Sequence, residues 1–309
     1  MDTPAPSLRV PAQTVRRPRL ARLTTPYLFI GPSLLLTVLI MLYPLGYSFW
    51  ISFTGYNLSR PGQAPFVGLD NYAWAITSPG FFGSIGTTLV YTVVAVGLEF
   101  LLGLGFALLL NREFRFQGIV RTLLMLPLFL TPSVVSLMFI FAFYPGEGVV
   151  PWLATFVGVP KGFPFFGDPR TAMASLIVVD VWRTTPFMFI VLLAGLQSLP
   201  QEIMEAAAID GASGWQTLRR VTLPLLSPLI LIALTIRGMD AFREFDSIYL
   251  LTGGGPGQMT EVISMLAYNT GFRYFDLGRA SAVAYIILLL VLIFSIYFVK
   301  KLRDMQMAS

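Results

Sequence analysis

The chain has 309 residues, 55% of them hydrophobic and only 12% charged, with a mean hydropathy of +0.73 and a net charge of +5. Soluble domains carry about twice that charged fraction, so lipid is the solvent for most of this chain. Cys and His are both absent, which excludes disulfides, thiolate or imidazole metal sites, and Cys or His catalysis.

Residues 1–25 are polar and Pro-rich and contain Arg9, Arg16, Arg17, Arg19 and Arg22; this composition predicts a disordered tail. The apolar run Tyr27–Trp50 follows. It is too long for a signal-peptide core and has no small-residue cleavage site after it, so it reads as a retained first span. Further runs of spanning length are Ser84–Leu110, Thr122–Tyr144, Thr171–Leu196, Leu223–Ala241 and Ala280–Val299. The expectation is an all-α polytopic membrane protein, with six transmembrane helices in one membrane domain over 26–303. Six spans put both termini on one side. The tails and the loops on that side hold thirteen Arg and Lys, against six in the opposite loops, which predicts cytoplasmic termini. The basic excess thus belongs to the membrane surface, and lipid, not nucleic acid, is the expected partner. The outer loops 51–83, 145–170 and 242–279 are rich in Gly, Pro and aromatics. Trp50, Tyr56, Trp74 and Tyr144 fall near that boundary, where interfacial anchoring accounts for them.

The loop between spans four and five, 198–222, is the most patterned stretch outside the spans. Ser198 with Gln201, and Ser213 with Gln216, have capping-box spacing, which predicts two short helices along the membrane. Glu202 and Glu205 lie early in the first helix, where its dipole favours acids. Ala206, Ala207 and Ala208 propagate it, and Gly211 offers a stop that tolerates positive φ. Arg219 and Arg220 end the second helix, and Pro224 and Pro228 open the fifth span. Small side chains on one face of the first helix would let another protein approach its backbone; an interfacial helix–turn with no partner fits the same pattern.

These residues resemble a family. Glu205-Ala206-Ala207, Asp210-Gly211-Ala212, Leu223-Pro224 and Pro228 are similar to the signature loop of ABC importer membrane subunits. Leu126-Pro127 with Pro132, Trp182 to Phe187, Asp240-Ala241-Phe242 and Leu251 to Pro256 resemble the carbohydrate branch, of maltose-transporter type, over roughly residues 25–303. The resemblance implies a type I ABC importer permease fold. Its coupling helix, carrying Glu205, Ala206, Ala207, Asp210 and Gly211, would seat in a cytoplasmic ATPase dimer. It also implies a second homologous permease subunit and an extracytoplasmic sugar-binding protein. ATP and Mg would be bound by the ATPase, with no cofactor in this chain. A phosphate-binding loop needs Gly-Lys-Ser/Thr, and none of Lys161, Lys300 or Lys301 is followed by Ser or Thr.

Charges within spans mark a pathway or an internal pair. Asp180, Arg183 and Thr184 share one helical face; Arg237, Ala241 and Glu244 share another, with Asp240 beside them. Alignment to the maltose type puts its sugar contacts on Asp180, Arg183 and Thr184 and on Arg237, Ala241 and Glu244. That type has uncharged residues there, so this chain departs from it. Two readings stand: Asp180–Arg183 and Arg237–Asp240 hold helices together as ion pairs, or these groups bind sugar hydroxyls. Glu99 lies near Gly97, Gly103 and Gly105, a small-residue surface for helix packing; a proton relay is the other option. Phe139, Phe141, Phe143 and Phe187 serve packing, lipid contact or stacking on a sugar ring.

The resemblance thus implies the passive pore subunit of an ATP-driven importer for an oligosaccharide, disaccharide or polyol; the arginines leave a phosphorylated polyol such as glycerol phosphate as an alternative cargo. The alternatives are an ion-coupled secondary transporter using Glu99, Asp180 or Asp240, and a membrane enzyme such as a lipid-linked glycosyltransferase. The third has no convincing acid/base pair in the sequence.

Overall fold

A computed structural model describes residues 19–60 and 62–308. The described chain forms two units, one ending at Trp50 and the other beginning at Ile51. Helix α1 (Arg19–Ser52) begins well before Tyr27, so residues 19–25 of the expected tail are helical; residues 1–18 lie outside the described residues. From Ile30 onward its large apolar side chains are almost all exposed, as suits a helix apolar on every face in lipid.

Beyond Ile51 the described elements are again helical. A short helix α2 (Asp70–Thr77) leads through extended Ser78 into α3 (Pro79–Leu110), with Pro79 at the first turn, where its missing N–H costs nothing. At the far end of α3, the side chains of Gln117 and Arg121 both donate to the Leu110 carbonyl at 2.7 Å, satisfying an end group that the helix leaves open. Arg121 belongs to α4 (Gln117–Met125), which runs through a 3-10 turn over Leu126–Phe129.

The expected straight third span is broken here. Leu130 and Thr131 are extended, and α5 (Pro132–Ala142) leaves at 101° to the limb ending at Phe129. Pro132 disfavours the helical region for Thr131, and the Thr131 hydroxyl accepts the Val134 N–H to start the new helix. A small helix α6 (Val149–Thr155) follows. The fourth span, α7 (Ala172–Ser198), is the most buried, and Pro186 lies inside it.

After α7 come α8 (Gln201–Ile209) and α9 (Gly214–Thr217). The second of these is not a separate surface helix. It continues through a π-turn over Leu218–Thr222 into α10 (Leu223–Phe242), giving one uninterrupted helical segment Gly214–Phe242. The short helices α11 (Asp246–Leu251) and α12 (Ile263–Tyr268) then precede the final span, α13 (Leu277–Ala308). Five uninterrupted helices are therefore long and apolar enough to cross a membrane, and the bent α4–α5 pair makes a sixth candidate.

The core lies along α3 and α7. Tyr91, Leu176, Met188, Phe189 and Leu192 are fully buried there. Gly103 sets the closest approach: a Cβ at that position would sit 2.6 Å from Cβ of Met188. Gly97 and Gly105 have nothing within 4 Å of a built Cβ, so the expected three-glycine surface reduces to one contact. In the lipid phase such close packing, rather than exclusion of water, holds helices together. The expected outer loops join one another: Leu58 N–H donates to the Phe275 carbonyl at 2.8 Å, and the Arg279 guanidinium lies 4.8 Å over the Trp74 ring. Among the aromatics, Phe139 packs on Phe143 and Trp182, Phe143 on Phe165 and Phe166, and Phe141 faces outward.

Candidate functional site

Five charged side chains from α3, α7, α10 and the segment after α10 converge. Arg237 of α10 grips Glu99 of α3 with two parallel bonds, Nε to Oε2 at 2.7 Å and Nη2 to Oε1 at 2.9 Å, and its Nη2 also donates to Asp180 of α7. One turn along α7, Arg183 donates to Asp180 Oδ1 at 3.1 Å and to Glu244 Oε2 at 3.3 Å. The Thr184 hydroxyl lies 2.6 Å from both Glu99 Oε1 and the Asp180 carbonyl, one proton for two acceptors. The other Glu244 oxygen accepts the Ser247 N–H at 3.2 Å. Glu99 and Asp180 are fully buried and Arg237 nearly so. Charges so deep are tolerated only with partners in place, and bidentate guanidinium–carboxylate geometry supplies them.

On one side this cluster opens into a cavity of about 440 Å³, lined by Arg183, Thr184, Phe187, Arg237, Glu244 and, toward its rim, Asp240 with Arg243. Of the seven positions expected to meet a substrate, Arg183, Thr184, Arg237, Asp240 and Glu244 reach the cavity wall. Asp180 sits behind it, holding both arginines, and Ala241 is buried outside it.

The expected Arg237–Asp240 pair does not form. Arg237 turns inward to Glu99 and Asp180, while Asp240 pairs with exposed Arg243 at 2.6 Å. Glu99, expected to serve helix packing, is instead the buried anchor of Arg237. Arg243 and Phe187 also line the wall, with Leu128, Phe245 and Asp246; Arg243 was counted only as a loop charge and Phe187 as one aromatic among four.

The α7–α10 loop is built differently. The Ser198 hydroxyl donates back to the Gly195 carbonyl at 2.8 Å, so the first expected capping box is absent; α7 runs through Ser198, and α8 starts after Leu199 and Pro200. Gly211 ends α8 at φ +71°, and the Ala212 N–H closes back on the Ala207 carbonyl at 3.0 Å. The second capping box forms: the Ser213 N–H donates to Gln216 Oε1 at 2.7 Å, and the Gln216 N–H to Ser213 Oγ at 3.4 Å. Glu205, Ala206, Asp210 and Gly211 are exposed and Ala207 half-buried. Ile209 (86% exposed) and Trp215 (67%) flank Gly211 on this surface. Sequence reasoning passed over both; a large apolar residue on either side of a glycine in a polar loop is the signal that was there to read.

Fold and cavity together define a polytopic helical membrane protein with a polar, solute-sized chamber beside its spans. Comparison with known proteins is more specific. Residues 99–308 match the family model for binding-protein-dependent transport system inner membrane components, and the chain belongs to that family. It is 42% identical over 92% of its length to a probable ABC transporter permease of Sinorhizobium fredii, covering 92% of that protein. It is 39% identical to the trehalose/maltose transport system permease protein MalF of Thermococcus litoralis, over 89% of this chain and 92% of that one. Among solved structures, a bacterial ABC transporter involved in import of the acidic polysaccharide alginate has a chain that superposes with a TM-score of 0.78 at 25% identity, covering 93% of this chain and 99% of that one. The fold is therefore that of a type I ABC importer permease, as the signature loop implied.

Proposed function

We propose that this chain is the pore-forming subunit of an ATP-driven importer for a sugar, an oligosaccharide, disaccharide or related polyol, and carries out no chemistry of its own. The observation that carries the reading is the cavity of about 440 Å³ with a charged wall beside the spans of a binding-protein-dependent transport component. Its size is in the range of small-molecule sites, and its wall offers donors and acceptors for hydroxyl pairs. The trehalose and maltose named for a relative support a disaccharide.

In this reading both termini are cytoplasmic, as the basic residues predict, and α8 with Gly211 faces the cytoplasm. A separate ATPase dimer, which binds ATP and Mg, docks there. The exposed Ile209 and Trp215 support such docking, because apolar side chains of that size at a polar surface are best covered by a partner. A second homologous permease completes the pore, and an extracytoplasmic binding protein delivers the sugar to the outer loops. Closure of the ATPase dimer switches the pore between inward and outward access.

Proteoliposomes holding the full assembly should take up sugar only when ATP is supplied on the ATPase side. Uptake by this chain alone, driven by an ion gradient, would replace the reading with an ion-coupled carrier built on Glu99, Asp180 or Asp240. Within the assembly, Glu205→Lys or Gly211→Asp should abolish sugar-stimulated ATP hydrolysis. Unchanged stimulation in both would remove α8 from the coupling role.

A further inference from the structure

The cavity wall carries three carboxylates and three guanidiniums, and two further carboxylates lie behind it. Asp240, Glu244 and Asp246 line it, with Asp180 and Glu99 directly behind; Arg183, Arg237 and Arg243 are the cations among its described residues. Wall and backing together, five acids are grouped with three arginines. Arg237 is held by Glu99 and Asp180 through Nε and Nη2, Arg183 bridges Asp180 and Glu244, and Arg243 is paired with Asp240. The buried Nε of Arg183 has no hydrogen-bond partner, leaving an N–H there for a neutral oxygen.

We propose that this chamber selects by charge: it accepts neutral and aminated polyols and rejects anionic ones, whether phosphorylated, sulfonated or uronic. The proposal rests on reading the cavity as the substrate site. An anion that drew a guanidinium away from its carboxylate would leave that carboxylate buried without its counter-charge. At the rim it would also meet Asp246 and the Asp240 of the exposed pair. A hydroxyl needs no such exchange, since it can donate to Glu244 and accept from Arg183, and an ammonium adds attraction to the surplus acid. The neighbouring structure from a transporter for an acidic polysaccharide has the same fold, so charge preference must lie in the side chains of the chamber rather than in the architecture.

The test uses the purified complex of this chain with its second permease and ATPase, without binding protein, so that only the chamber discriminates. Trehalose, trehalose 6-phosphate and 6-amino-6-deoxytrehalose are titrated by calorimetry and thermal shift at low and high salt. The neutral and aminated sugars are expected to bind at least about tenfold more tightly than the phosphate, the cost of placing like charges together. High salt should narrow the gap, and so should Asp246→Asn, an exposed position whose change leaves the fold intact, and Glu244→Gln. Equal binding of trehalose and its phosphate overturns charge selection and leaves the sugar site standing. A gap unchanged in both variants also overturns the assignment to this chain. Absence of binding by all three sugars overturns the substrate-site reading and this proposal with it.

Discussion

The charged cluster and the α7–α10 loop use the same residue types to opposite ends. In the cluster, Glu99, Asp180 and Glu244 each face a guanidinium of the same chain, and the first two are fully buried. In the loop, Glu202, Glu205 and Asp210 are exposed, and none has an ion-pair partner among the described residues. An acid held by its own fold is felt as stability when removed. An acid presented to the outside is felt only by whatever docks on it.

That contrast can be broken at several points. The largest effect is expected from Arg237→Met, which strands two buried carboxylates; about 3–5 kcal/mol of stability should be lost, read as thermal midpoint and denaturant resistance in detergent. Adding Glu99→Gln should recover part of it, and a double variant no better than the single one would mean that the pair is not the unit of stabilisation. Next comes Gly103→Val, where a side chain must enter the α3–α7 contact; about 1–3 kcal/mol is expected, while Gly97→Val, with open space around it, should be close to neutral. Gly211→Ala places a Cβ at φ +71° and should cost about 1–2 kcal/mol. Smallest is Glu205→Gln, within about 0.5 kcal/mol of the parent, as for other surface changes. A large destabilisation at Glu205 would erase the distinction between the two regions.

How much of this was legible depended on distance along the chain. Asp180 and Arg183 are one turn apart, and their pairing follows from helical spacing alone. Glu99 and Arg237 are 138 positions apart, on helices apolar nearly all round, where periodicity does not say which face turns inward. Local spacing therefore offered Asp240 as the partner of Arg237, and tertiary packing chose Glu99. The break at Leu130–Thr131 had its cause in view at Pro132, but the run of apolar residues there is long enough for a straight span and masked it. Ser198 shows the reverse failure. A correct capping pattern went unused because the preceding helix extended through it, whereas Ser213 follows the turn at Gly211 and caps as expected. The family resemblance rested on short contiguous motifs, which is why it said little about the cavity, whose walls come from the turn at Leu128, α7, α10, the residues after it and the start of α11.

The uninterrupted helical segment from Gly214 to Phe242 has one more consequence. It is a lever arm with the loop at one end and the guanidinium of Arg237 near the other. At about 1.5 Å per residue the arm from Gly214 to Arg237 is roughly 35 Å long, so a tilt of about 5° pivoted at the loop displaces Arg237 by roughly 3 Å. That displacement is as long as the bonds from Arg237 to Glu99. A slight angular adjustment at one surface is thus enough, by leverage alone, to open or close an ion pair deep in the protein.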